Sequence, residues 1–74
     1  MGRSNMDAAK WADTMGLMMI GANYGLNKNS TEAEFRQAAE RIMNDAQAQQ
    51  GVRLSGADGL AKALKRARDD RESW

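Results

Sequence analysis

Only three β-branched aliphatic residues occur in the chain, Ile20, Ile42 and Val52, and there is no proline. Sheets draw on β-branched and aromatic side chains to fill a pleated surface, and this sequence has few of either. Alanine supplies 13 of the 31 apolar residues instead, and it is the strongest helix former. The expected fold class is therefore all-α. At 74 residues the chain is a single small domain, 1–74, with no cysteine for disulfides and neither cysteine nor histidine for a structural zinc site.

Start and stop signals divide it into three helices, approximately 5–25, 32–50 and 56–68, with a loosely ordered tail over 69–74. Ser4 or Asn5 can accept hydrogen bonds from the first free amides of the first helix, and Asp7 sits near its positive dipole end. Tyr24-Gly25-Leu26 ends that helix, because glycine takes the left-handed conformation and Leu26 can fold back on the last turn. Asn27-Lys28-Asn29-Ser30 reads as a polar turn.

The second helix opens with a capping box, Thr31-Glu32-Ala33-Glu34. Phe35, Ala38, Ala39, Ile42, Met43 and Ala46 then share an arc of about 140°, and Gly51 is the natural stop. Ser55-Gly56-Ala57-Asp58 repeats the cap pattern before the third helix. There Ala57, Leu60, Ala61, Ala63, Leu64 and Ala67 share an arc of about 160°. Arg68 and Arg71 fall inside that arc, so fraying is expected after Arg68.

The first helix differs in having two apolar faces. Trp11, Met15, Met18 and Met19, with Ala8, Ala12 and Ala22, form one stripe, a core or partner-binding face. Leu17, Ile20 and Tyr24 form a second on the opposite side. These three side chains carry roughly 400 Å² of surface, worth on the order of 10 kcal/mol if buried at about 25 cal/mol per Å². That equals the whole net stability of many small domains. The expectation is a homodimer packed through Leu17, Ile20 and Tyr24; the alternative is that the first helix is the central helix of a monomer.

Charge excludes little. The net charge is +1, too small for long-range attraction to nucleic acid or anionic lipid. The stretch Met15 to Leu26 is shorter than the roughly 20 apolar residues of a membrane span and is interrupted by glycine and asparagine. Asp7, Lys10 and Asp13 spoil a signal-peptide pattern, so a cytoplasmic location, bacterial or host, is expected, with no membrane partner. Glu32, Glu40 and Asp45 give the second helix an acidic face that a protein partner could meet. Lys62, Lys65 and Arg66 give the third a basic one that could lie along a phosphate backbone or meet an acidic protein partner. Asp58, Asp69 and Asp70 stand four positions from these three and could neutralise them.

A helix-turn-helix fits at Gly21, Gly25 and Leu26. It fails at Thr31 and at the acids Glu32 and Glu34, which would repel phosphate. No histidine is present to activate Ser4, Ser30, Thr31 or Ser55, and there is no phosphate-cradling glycine loop. No catalytic residue, cofactor or metal ligand is therefore assigned. The function expected is stoichiometric binding of another protein by a small dimeric inhibitor or adaptor. Its size and plain chemistry resemble phage or mobile-element anti-defence products and small bacterial regulators. The alternatives are a nucleic-acid-binding regulator using Lys62, Lys65 and Arg66, or a virion or assembly subunit.

Overall fold

The computed structural model describes residues 6–71, which leaves the expected caps Ser4 and Asn5 and residues 72–74 of the expected tail outside the described residues. The chain is mostly helical, and its elements are β1 (Met6–Asp7), α1 (Ala8–Met15), α2 (Leu17–Asn23), α3 (Glu32–Gln50), β2 (Leu54–Ser55) and α4 (Ala57–Arg71).

The expected single helix over 5–25 is two helices, so the described residues contain four rather than three. Gly16 separates them with φ 105° and ψ 92°, a conformation that side chains rarely adopt. The Gly16 amide still donates to Ala12 O at 2.8 Å, and the Ile20 amide donates to Gly16 O at 3.0 Å. Helical hydrogen bonding thus reaches the glycine from both sides and fails only across it. The break changes the rotation of everything after it. Ala8 and Ala12 of α1 are fully buried with Trp11 packed beside them, and after the break Leu17, Ile20 and Tyr24 pack against the same core. Met15 and Met19 remain 50% and 68% exposed.

Helix α2 closes as its glycine dictates. Gly25 takes φ 82°, the Leu26 amide returns to Gly21 O at 2.9 Å, and Leu26 is buried. Helix α3 begins with the reciprocal box: Thr31 Oγ1 accepts from the Glu34 amide at 3.2 Å and Glu34 Oε1 from the Thr31 amide at 2.7 Å. It ends at Gly51 with φ 69° and buries Phe35, Ala38, Ala39, Ile42 and Ala46.

Helix α4 is the hub. It packs against α3, α1 and α2, with Leu60 and Leu64 fully buried. Its other apolar positions are Ala57, Ala61, Ala63 and Ala67, whose small side chains let neighbouring helices approach closely. The tail expected from residue 69 is helical as far as Arg71. Arg68 explains why α4 does not fray there. Its side chain is only 16% exposed, and Nη1 donates to Ser30 O at 3.0 Å and to Lys28 O at 3.3 Å. Nε and Nη2 reach Asp69 Oδ1 at 3.0 and 2.9 Å, and the guanidinium lies 5.0 Å from the centre of the Phe35 ring. An arginine inside an apolar arc is here a clasp between α4 and the α2–α3 turn.

A short parallel pairing, absent from the sequence expectation, ties the start of the chain to the α3–α4 link. Met6 pairs with Leu54 and Asp7 with Ser55, and the Met6 amide donates to Arg53 O at 2.9 Å. Asp7 then caps α1 by accepting from the Lys10 amide at 3.3 Å.

The hub role predicts that Leu64→Ala costs roughly 3 kcal/mol, the usual size for a buried leucine. Met19→Ala, on the exposed side, should cost under about 0.5 kcal/mol. Urea denaturation followed by circular dichroism checks both, and equal losses would contradict the assignment.

Candidate binding groove

Where α1 and α2 meet α4, the chain leaves an open groove of about 750 Å³. Its apolar lining comes from Ala9, Leu17, Met18, Met19, Ala63 and Ala67, and its charged lining from Asp7, Lys10, Asp13, Arg66 and Asp70. The groove follows from the break at Gly16, itself one of the lining residues, because α2 leaves the line of α1 at that point. Alanines at positions 63 and 67 of α4 keep its third side shallow. Met18 is half-buried and Met19 exposed, so two flexible thioethers meet solvent beside small residues.

The other expected site residues are distributed differently. Leu17, Ile20 and Tyr24, expected at a self-association face, are half-buried and pack against the core of their own chain. Trp11 does the same, whereas Met15 is exposed and Met18 and Met19 line the groove. The Tyr24 hydroxyl donates to Asp45 Oδ2 on α3, and the Arg41 guanidinium lies 5.9 Å from the ring centre. Burial, followed by the hydrogen bond to Asp45 and the carboxylate's charge, pushes the Tyr24 pKa up to about 12, with Arg41 pulling the other way.

Asp45 is thus engaged inside the chain instead of standing on an acidic outer face. Glu40 pairs with Arg36 at 3.4 Å, and Arg36 also reaches Asp58 Oδ1 at 2.5 Å. Glu32 is exposed at a smaller α3–α4 cleft of about 270 Å³, together with Lys62 and Lys65. Arg66 lines the large groove instead, so the expected basic face is divided between two depressions. Asp58 and Asp69, the expected neutralisers of Lys62 and Lys65, are paired with Arg36 and Arg68. Among the described residues Lys62, Lys65 and Arg66 make no ion pair within 4 Å.

Sequence reasoning missed Gly16 and Arg68. An arginine on an apolar arc is itself a signal that buried carbonyls await it, but which carbonyls is a tertiary question. What the groove offers chemically is contact: an apolar surface with charges of both signs around it. Among the described residues no group of three acidic side chains could hold a metal ion, and no helix is long and apolar enough to cross a membrane. Comparison with protein families, with curated proteins and with solved structures finds no match.

The raised Tyr24 pKa carries a sign. The folded chain holds the phenol proton above pH 10, where the unfolded chain releases it, so the contribution to stability is complete below pH 10 and is lost as pH rises toward 12. The stability advantage of the native chain over Tyr24→Phe should therefore be constant up to pH 9 or so and shrink between pH 10 and 12. Urea titrations of both proteins across that range check it, and a constant difference would contradict it.

Proposed function

We propose that the protein is a non-enzymatic interaction module acting as a homodimer, an inhibitor or adaptor that works by stoichiometric contact with another protein. The observation that carries this reading is the groove between α1, α2 and α4, lined by Leu17, Met18 and Met19. Methionine is unbranched and polarisable, so a surface built on it adapts to a partner's side chains at little cost. The charges around it, Asp7, Lys10 and Asp13 on one side and Arg66 and Asp70 on the other, fit a partner that presents a row of apolar side chains with polar flanks. Exposed Met15 and Met19 support the dimer, since both lie on the segment with more apolar surface than one chain covers.

The test is differential capture. Immobilised native chain, Met19→Glu and Lys62→Glu are exposed to the same nuclease-treated cell lysate, and retained proteins are quantified by mass spectrometry. A protein partner of the groove should fall about 10-fold or more with Met19→Glu, since desolvating a charge exceeds the 1.4 kcal/mol of a decade in affinity, and should be unchanged with Lys62→Glu. Loss with Lys62→Glu alone, or equal retention by the native chain and Met19→Glu, would overturn the groove assignment.

A further inference from the structure

The break at Gly16 leaves a specific deficit. The amides of Leu17, Met18 and Met19 and the carbonyls of Asp13, Thr14 and Met15 are positioned four residues apart, as in a helix, yet no helical bond joins them. One residue's torsions hold the deficit in place. If Gly16 moved to helical φ and ψ, all three bonds would form and α1 would run straight into α2.

Straightening cannot occur within a single packed chain. Leu17, Ile20 and Tyr24 hold α2 against the core, while Ala8 and Ala12 hold α1 against it and β1 is paired with β2. A straight helix must carry the arm β1–α1 off its own α4. The site it vacates has one ready occupant, the same arm of a second copy. That copy brings Ala8 and Ala12 to α4 and Met6 and Asp7 to Leu54 and Ser55, so the contacts of the arm with α4 and β2 are regained. Two chains that exchange arms in this way close on a two-fold axis with both vacated α4 sites filled.

We propose that the dimer of this protein forms by exchange of residues 6–15 between two copies, with Gly16 as the hinge. This inference rests on the dimer reading above and specifies its geometry. The exchanged form gains three backbone hydrogen bonds per chain. It also sets Met15 and Met19 one turn apart on the same face of one straight helix. Gly16 sets the balance. A Cβ at this position meets nothing nearer than Met19 Cβ at 3.9 Å, so space does not resist a side chain, but φ 105° does. Gly16→Ala therefore penalises the bent form and favours the straight one.

The absence of native cysteine makes the exchange directly readable. Met6→Cys with Leu54→Cys places a pair at paired positions of β1 and β2. This background is made with native Gly16 and with Gly16→Ala, oxidised at low and high chain concentration, then weighed by light scattering and on a non-reducing denaturing gel. Arm exchange predicts a dimer that remains a covalent dimer when denatured, its share growing with concentration for native Gly16 and larger at every concentration for Gly16→Ala. A dimer that denatures to single, internally cross-linked chains would overturn exchange and leave the dimer reading standing. One-chain mass at every concentration would overturn both. Should Gly16→Ala lose its helical circular dichroism, the native-Gly16 concentration series decides alone.

Discussion

The backbone at Gly16 is the constraint on which the rest of the structure depends. A continuous helix through this point would carry apolar side chains on nearly every side, and a chain of 74 residues has too few helices to cover them. Breaking the helix converts one two-faced element into two one-faced elements. Ala8, Ala12 and Trp11 then meet the core at one rotation and Leu17, Ile20 and Tyr24 at another. The cost is three helical hydrogen bonds, worth about 0.5–1.5 kcal/mol each, against the burial of several large side chains. The residues left uncovered are Met15 and Met19, and the groove beside Met19 exists because α2 departs from the line of α1.

The core that results is thin. Half of its buried apolar residues are alanine, and Leu26, Phe35, Ile42, Leu60 and Leu64 supply the bulk. Alanine packing suits a hub helix, because α4 must accept three neighbours, and small side chains keep each approach close. A thin core also leans on polar ties at its edges. Arg68 stitches α4 to carbonyls of the α2–α3 turn, Tyr24 stitches α2 to Asp45 of α3, and Arg36 joins α3 to Asp58 of α4. Each tie crosses between elements; Arg68 and Tyr24 make theirs in part-buried surroundings, whereas the Arg36–Asp58 pair is exposed on both sides and adds little.

What could be read from the sequence was local. Thr31, Glu34 and Gly51 bound α3 because a capping box and a left-handed glycine act within a few residues, and Gly25 with Leu26 closes α2 for the same reason. Gly16 was not legible as a break. A lone glycine inside a helical pattern costs only about 1 kcal/mol, and the decision rests on which faces find cover elsewhere. Arg68 finds its acceptors 38 and 40 residues away in the chain, and the two-residue pairing of β1 with β2 is too short for any periodicity. In the groove, Met18 and Met19 were nameable from an apolar stripe on the first helix. Arg66 was nameable only as part of a basic face, because the depression it lines requires the bend.

Amide hydrogen exchange across residues 16–20, resolved by NMR at dilute chain concentration, tests the break most directly. Gly16 and Ile20 donate to Ala12 O and Gly16 O and should be protected, while Leu17, Met18 and Met19, lacking backbone acceptors among the described residues, should exchange many times faster. Uniform protection from Gly16 through Ile20 would mean an unbroken helix and would contradict the account.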